Sequence, residues 1–297
     1  MRKIGIIGLG KVGMEYVYAL LNSNLNIDEM ILIDVNVDAL KGKVLDLNHA
    51  LVSLDRDVKV KIGNYNELED ADMVCITAGL PQNQLGNSRD NDLFKCDDIF
   101  KSIIPQIAES GFKGIYLIAS NPLDVMCRVA YKYANCGPER IIGSGTLLDT
   151  NRLLNVVAEK YDKKLFDVEG LVLGEHGETS FVPWTSLNVK VPEEDRDEIN
   201  EKIRGLGFEI VNSQGFTAYG VSAALLRITK NIWNDGKEIL PVSTYLKDYD
   251  IYISTPSRIG KDGVIENNLY NYNKEELEDL NKSIAKIKNE FEIVKDK

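Results

Sequence analysis

Short apolar runs alternate with helical patterns through the first half of the sequence, and this alternation limits the fold more than any other feature. Strands that alternate with helices indicate a parallel sheet with helices on both faces. Strands that are buried on both faces need not alternate in polarity, which fits these near-continuous apolar runs. We therefore predict an α/β fold on a doubly wound parallel sheet, with strands at residues 4–7, 30–34, 58–62, 73–77, 115–119 and 140–142.

The pattern changes after about residue 145. Here the periodicity predicts a helix from near Asp149, strand-like runs at 168–173 and 181–191, and helices at 193–213 and 216–232. A hairpin is expected to join residues 251–254 to 264–265, and a charged helix is expected at 273–291. We predict two domains, residues 1–144 and residues 145–297, packed closely because no Pro/Ser-rich linker separates them.

Residues 8–13 read Gly-Leu-Gly-Lys-Val-Gly and directly follow the first predicted strand. Gly8 permits a tight turn, Gly10 lets a pyrophosphate approach the backbone, and Gly13 lets the following helix pack closely. The positive N-terminus of that helix would face the phosphates. A glycine-rich turn that binds nothing is the alternative. In this context the motif predicts a Rossmann-type doubly wound sheet followed by a C-terminal α+β domain.

Asp34 lies at the end of the second predicted strand, 21 residues beyond Gly13. Its carboxylate would accept hydrogen bonds from an adenosine ribose and would repel a 2′-phosphate. No arginine follows at residues 35–37. The sequence therefore favours NAD over NADP.

The 297-residue chain contains two histidines, His49 and His176. His49 falls late in a predicted helix, where a histidine is favoured by the helix dipole and needs no catalytic role. His176 lies in a Gly-Glu-His-Gly turn after an apolar run. Flanking glycines suit a reactive imidazole that projects into a cleft, although a structural histidine is an equal alternative at this point.

Three further clusters are candidates for a site. Asn121 follows the fifth predicted strand, at the sheet edge where doubly wound folds bind ligands. Asp149 and Arg152 lie at the start of a predicted helix, where capping is the simpler role for Asp149. Arg89 ends a polar loop after the fourth strand, where a solvated side chain is the simpler interpretation.

Taken in order along the chain, these motifs resemble the L-lactate/malate dehydrogenase family over nearly the whole sequence. Residues 174–177, Gly-Glu-His-Gly, are the most specific of them when combined with Leu-Asp-Thr-Asn-Arg at 148–152. The C-terminal half, with Phe-Val-Pro-Trp at 181–184, is most similar to L-2-hydroxyisocaproate dehydrogenases. The loop before Arg89 is closer to that of L-lactate dehydrogenases. The motifs are Gly-x-Gly-x-x-Gly with Asp34, Thr77-Ala78-Gly79, Ser88-Arg89, Ser120-Asn121-Pro122, residues 148–152 and residues 174–177.

The resemblance implies hydride transfer between a 2-hydroxy acid and NAD. It assigns His176 as the acid/base, Asp149 as the carboxylate that orients the imidazole, and Arg89 as the cation that polarises the 2-oxo group. An imidazole with an ordinary pKa of about 6.5 suits proton transfer in both directions near neutral pH. Arg152 would bind the substrate carboxylate through its two-pronged guanidinium.

The resemblance also implies the remaining contacts. Asn121 would orient both substrate and cofactor amide, and Thr217 would lie beside the substrate. The cofactor would contact Gly8, Gly10, Lys11, Val12, Gly13, Asp34, Thr77, Ala78, Gly79, Asn121 and Val221. No metal is expected. Dimers or tetramers of identical chains are usual in the family, and the sequence does not choose between them.

The loop between Gly79 and Arg89 bears on which acid is used. It contains no basic residue that would meet a second carboxylate, so a monocarboxylic 2-oxo acid is expected. Gln82 or Asn83 takes the place of the glutamine found in lactate-type enzymes. We expect an L-lactate dehydrogenase. An enzyme for larger, branched 2-oxo acids is the alternative, and a non-catalytic NAD sensor is the alternative from another class.

Composition restricts partners and location. The chain carries 46 acidic and 35 basic residues, a formal charge of −11, which disfavours nucleic acid and anionic membranes as partners. No apolar run approaches the roughly 20 residues of a membrane span, and the first predicted strand leaves no room for a signal peptide. The four cysteines are single, without metal or disulfide spacing. We expect a cytoplasmic protein.

Overall fold

The strands predicted in the first half of the chain form a parallel sheet in the computed structural model, which describes residues 2–80 and 89–295. The strands pair in the order β3-β2-β1-β4-β5-β6, all parallel. Each observed strand lies within one or two residues of its predicted bounds. The doubly wound sheet is thus confirmed, with β1 (Lys3–Ile7), β2 (Glu29–Ile33), β3 (Lys59–Ile62), β4 (Met73–Ile76), β5 (Ile115–Ile118) and β6 (Ile141–Gly143).

Helices cover both faces of this sheet, and on each face the helices and strands share an apolar core. One core contains α3 and α4, and the other contains α1 and α7, the latter from the C-terminal half of the chain. The helices are α1 (Lys11–Leu21), α2 (Val37–Ser53), α3 (Arg89–Glu109), α4 (Leu123–Tyr133), α5 (Leu147–Lys160), α6 (Glu193–Gln214), α7 (Tyr219–Trp233) and α8 (Lys274–Val294). Within the described residues, none of the helices is both long and apolar enough to cross a membrane.

The C-terminal half adds three antiparallel strands to the same sheet: β7 (Ile239–Leu246), β8 (Ile251–Gly260) and β9 (Gly263–Glu266). Gly143 of β6 pairs with Ser243 of β7, so in the part of the chain that the structure describes nine strands form one continuous sheet. The hairpin of β8 and β9 was predicted, with a shorter first strand. The division into domains at residues 144 and 145 stays a prediction, because the sheet runs across it.

Strand β7 was not predicted from the sequence. It contains Pro241, and a proline inside an apolar run normally argues against a strand because it cannot donate a hydrogen bond to a neighbour. Here Pro241 faces Pro256 of β8 in the strand register. Two residues that lack an N–H group therefore oppose each other.

The strand-like runs predicted at 168–173 and 181–191 are wrong as strands. Only isolated bridges form there, between Leu173 and Phe181 and between Gly174 and Ser254. Gly174 has a φ of +94°, which turns the chain away from an extended path. A short 3-10 helix, Trp184–Ser186, interrupts the second run. Loop packing buries Val168, Val172 and Leu173 of the first run and Phe181, Val182 and Val191 of the second.

Candidate active site

The glycine-rich loop closes against the end of β4. Gly8 has a φ of +90°, and a side chain there would lie 2.5 Å from the backbone nitrogen of Ala78. The Thr77 hydroxyl donates a hydrogen bond to the Gly8 carbonyl oxygen over 2.5 Å. A Cβ at Gly13 would lie 2.1 Å from the same oxygen. Gly8 and Gly13 are therefore required by the fold of the loop itself.

Gly10 differs from these two glycines. Within residues 2–80 and 89–295, a Cβ built on it meets no atom within 4 Å. It is the N-cap residue of α1 and carries no capping side chain, so it leaves the first N–H groups of the helix without a side-chain cap. That is the arrangement a pyrophosphate needs at a helix N-terminus. The residues present therefore fit the phosphates of a dinucleotide.

Leu9 of the same loop is held from two sides. Its backbone N–H donates to Asp34 Oδ2 over 2.6 Å, and its carbonyl oxygen accepts from Lys43 Nζ over 2.5 Å. Asp34 also accepts the Asn36 N–H through Oδ1 over 2.8 Å. Asp34 thus orders the loop in addition to its predicted contact with a ribose. Sequence reasoning missed Lys43, because no local pattern links a lysine of α2 to a loop 34 residues earlier.

His176, Asp149 and Arg152 come together as the motifs predicted. Nδ1 of His176 lies 2.7 Å from Asp149 Oδ2, and Arg152 Nη1 donates to Asp149 Oδ1 over 3.0 Å. Asp149 and Arg152 share one face of α5 because they are three residues apart. The N-cap of this helix is Thr146, so the capping role considered for Asp149 is wrong. The side chains of Asp149, Arg152 and His176 keep 13%, 16% and 23% of their exposure.

The pairing shifts both titrating groups toward their charged forms. Burial by itself lowers the pKa of His176, but the charge and hydrogen bond of Asp149 outweigh it, so the pKa is raised above its ordinary value. Burial by itself raises the pKa of Asp149, but His176 and Arg152 outweigh it, and the pKa is lowered. A proton held on His176 is therefore stabilised by an ionised Asp149.

A cavity of about 460 Å³ contains this cluster. It lies between the start of α1, the end of β5, α5, the His176 turn, and helices α6 and α7. Seven of the predicted residues line it: Val12, Asn121, Asp149, Arg152, His176, Thr217 and Val221. Cofactor-loop, substrate and proton-transfer candidates from distant parts of the sequence therefore share one cavity.

Helix α6 forms a wall of the cavity that sequence reasoning did not predict. Gly207 faces Arg152, since a Cβ there would lie 3.5 Å from Arg152 Nη2. Phe208 and Val211 add apolar surface to this wall, and Arg204 lies on it with its guanidinium donating to the Ser180 carbonyl oxygen. The periodicity predicted the helix, but a single sequence does not show which of its faces meets the cavity.

The other predicted residues lie as follows. Lys11 Nζ is 4.9 Å from the ring centroid of Phe216, which directly precedes Thr217. Gly79 follows Ala78 near Ser120. Gln82 and Asn83 lie outside the described residues, as does the side chain of Arg89, whose backbone begins α3. His49 is exposed on α2 and does not line the cavity.

Comparison with known proteins shows to which family the chain belongs. Residues 2–143 match the family described as lactate/malate dehydrogenase, NAD binding domain. Residues 146–297 match the family described as lactate/malate dehydrogenase, alpha/beta C-terminal domain. The chain belongs to the lactate/malate dehydrogenase family. This confirms the resemblance, and the NAD-binding domain confirms the cofactor that the glycine motif and Asp34 predicted.

Relatives and solved structures in this family agree over the whole chain. An L-lactate dehydrogenase of Borrelia turicatae is 36% identical over 304 residues, covering 96% of each chain. One of Bacillus pumilus is 37% identical over 283 residues, covering 90% of this chain and 89% of that protein. The crystal structure of a minor L-lactate dehydrogenase from Enterococcus mundtii has a TM-score of 0.94 at 31% identity, covering 99% of this chain and 98% of that one. That of a lactate dehydrogenase from a Medee basin deep-sea metagenome library has a TM-score of 0.92 at 35% identity and covers 99% of each.

Two glycine substitutions separate the phosphate site from the fold of the loop. Gly10→Ala places a methyl group in open space, so we expect it to change the free energy of unfolding by at most about 1 kcal/mol. It should weaken NADH binding at least about tenfold, because the methyl group occupies the space of the pyrophosphate. Gly13→Ala drives a methyl group into the Gly8 carbonyl and should destabilise the fold by about 1–3 kcal/mol or more.

Urea unfolding gives the stabilities, and a fluorescence titration with NADH gives the affinities. Unchanged NADH affinity in Gly10→Ala would contradict the phosphate site. Wild-type stability in Gly13→Ala would contradict the packing of the loop.

Proposed function

We propose that the protein is an NAD-dependent L-lactate dehydrogenase that interconverts L-lactate and pyruvate. The observation that carries this proposal is the ring of His176, held by Asp149 in a cavity that also contains Arg152. A hydroxy acid needs a group that accepts its hydroxyl proton and a cation that binds its carboxylate, and these residues supply both. Relatives of the chain are named L-lactate dehydrogenase, which is the activity proposed here.

His176 exchanges the proton through Nε2, because its Nδ1 is engaged by Asp149. The ionised carboxylate fixes the tautomer that leaves Nε2 able to accept a proton, and it then stabilises the imidazolium that forms. In the oxidation direction, the hydroxyl proton passes to Nε2 while the hydrogen on C2 departs with its electron pair. When bound, NAD supplies the acceptor for that hydride. Reduction of pyruvate reverses both transfers.

Arg152 orients the substrate. Its bond to Asp149 uses one of five guanidinium N–H donors, and the two-pronged geometry of the group matches a carboxylate. Asn121 and Thr217, which line the same cavity, position the rest of the substrate. Two further roles follow from sequence positions that match the family motif. Arg89 polarises the 2-oxo group, and Gln82 or Asn83 selects the substrate side chain.

A larger 2-oxo acid is the second candidate substrate, and one observation favours it. Gly207 leaves the wall opposite Arg152 without a side chain, and Phe208 and Val211 extend an apolar surface from it. A branched aliphatic side chain would gain about 0.8 kcal/mol for each CH₂ group buried there. The substrate is in either case a monocarboxylic acid.

We also propose that the enzyme works in the cytoplasm as a homodimer or homotetramer. All four cysteines are free thiols, which suits a reducing compartment. Leu45 and Val52 of α2 expose 62% and 81% of their surface, and such apolar side chains suit contact between subunits.

Substitution of the proposed acid/base distinguishes an enzyme from a non-catalytic NAD sensor. His176→Asn retains similar size but neither accepts nor donates the proton, so we expect pyruvate reduction to fall by about 10²–10⁴-fold. NADH affinity should stay near wild type, because His176 is not part of the phosphate loop. The matched control is His49→Asn on the exposed face of α2, which should keep full activity. A sensor would show no turnover in wild type that the substitution could abolish.

Substrate preference tests the proposed acid. With NADH and a series of 2-oxo acids of increasing side-chain length, we expect pyruvate or a larger monoacid to be reduced at least about tenfold better than oxaloacetate. The physical reason is that a second carboxylate would be desolvated without a partner. A maximum at branched acids would assign the larger substrate. Efficient turnover of oxaloacetate would overturn the monocarboxylate assignment.

A further inference from the structure

Asp124 is a buried carboxylate that contacts the His176 turn. It lies in the first turn of α4, three residues after Asn121, and retains 2% of its surface. Its Oδ2 accepts the backbone N–H of His176 over 2.8 Å. Its Oδ1 accepts the hydroxyl of Ser243, on β7, over 2.5 Å. Both oxygens are thus engaged, one of them by the backbone of the proposed acid/base.

The turn that carries His176 is fixed on its other side by β8. Gly174 and Ser254 exchange two backbone hydrogen bonds, of 3.0 and 3.1 Å. Ser254 is the register partner of Ser243, so the strand that anchors the turn is bound to the strand that supports Asp124. Asp124 contacts the same turn from α4, through the His176 N–H.

We propose that Asp124 is a positioning residue of the proton-transfer site, which holds the backbone of His176 from α4 while Asp149 holds its ring from α5. This inference rests on the proposed function. Asp124 acts through His176 and needs no contact with the substrate.

Electrostatics gives this role a pH dependence. Burial raises the pKa of Asp124 to about 6, although the bonds from Ser243 and the His176 N–H oppose the shift. The titratable groups that face it include His176 and Glu175 from the turn and Cys127 from its own helix, and β7 contributes the hydroxyl of Ser243. The negative charge of Asp124 in turn raises the pKa of His176.

The alkaline and acid limbs of the pH profile for reduction separate the effects of His176 and Asp124. Reduction requires protonated His176, so its rate falls on the alkaline side as His176 loses its proton. Below about pH 6, Asp124 becomes neutral and accepts the His176 N–H less strongly, so the imidazolium, which keeps its proton at this pH, is held less firmly in position. We therefore expect an acid limb in the reduction profile that belongs to Asp124.

The experiment compares kcat/KM for pyruvate reduction against pH in three variants. Asp124→Asn keeps an oxygen for the His176 N–H and removes the charge. It should lose the acid limb and shift the alkaline limb downward by about 0.5–1 unit. Ser243→Ala removes a donor to the ionised carboxylate and should shift the acid limb upward by a similar amount, about 0.5–1 unit. Ser257→Ala is the matched control, because it removes another buried strand hydroxyl that is bonded to Thr244 and Thr255.

Shifted limbs in Asp124→Asn or Ser243→Ala, with wild-type limbs in Ser257→Ala, support the proposal. Rates that fall uniformly while both limbs stay at their wild-type pH would overturn it. Should Asp124→Asn fail to fold, Ser243→Ala alone decides between these results.

A second readout does not depend on activity. Because the sequence contains only His49 and His176, an NMR titration of the imidazole signals shows two residues, and the exposed His49 is the internal reference. The titration midpoint of His176 should fall by about 0.5–1 unit in Asp124→Asn. An unchanged midpoint would contradict the proposal even in an active enzyme. Absence of pyruvate reduction in wild type would instead contradict the proposed function.

Discussion

The site depends on one shared carboxylate. Asp149 engages the ring of His176 through one oxygen and the guanidinium of Arg152 through the other, and its side chain keeps only 13% of its exposure. In such surroundings an ion pair is much stronger than in bulk solvent, and removal of one partner leaves an uncompensated charge. The same carboxylate therefore orders the group proposed to transfer the proton and the group proposed to bind the substrate. Contacts within the protein itself therefore fix their relative positions.

The sheet explains why these residues meet the cofactor loop. The order in which strands are added to the sheet reverses between β1 and β4, and the chain segments after these two parallel strands lead to helices on opposite faces, which leaves a crevice at their carboxyl ends. The glycine-rich loop lies on one side of it and Thr77 on the other, joined by the bond to the Gly8 carbonyl. Asn121 follows the neighbouring strand β5, and α5 follows β6. Addition of β7 to β6 then brings the C-terminal half against this edge, so His176 reaches Asp149 across 27 residues of sequence.

The sequence predicted what depends on local patterns. The six parallel strands follow from apolar runs, and the positions of Gly8, Gly13 and Asp34 follow from a motif whose geometry is local. The proximity of His176, Asp149 and Arg152 came from the family resemblance, because spacing alone left a structural histidine open. Contacts between distant segments were not predictable. Examples are the hydrogen bond from Lys43 to the Leu9 carbonyl oxygen, the bond from the His176 N–H to Asp124, and the position of α6 beside the cavity. Strand β7 was missed because Pro241 argues against a strand unless its partner, also a proline, is known.

We conclude that L-lactate bound in this cavity transfers a hydride from its C2 to NAD. Isotopic labelling tests this conclusion most directly. The wild-type protein is incubated with NAD and L-lactate that carries deuterium at C2, and the NADH formed is analysed by mass spectrometry. We expect one deuterium in NADH and, where hydride transfer limits turnover, a slower initial rate than with unlabelled lactate. NADH formed without deuterium, or no NADH formed from L-lactate or any larger L-2-hydroxy monoacid labelled in the same way, would contradict it.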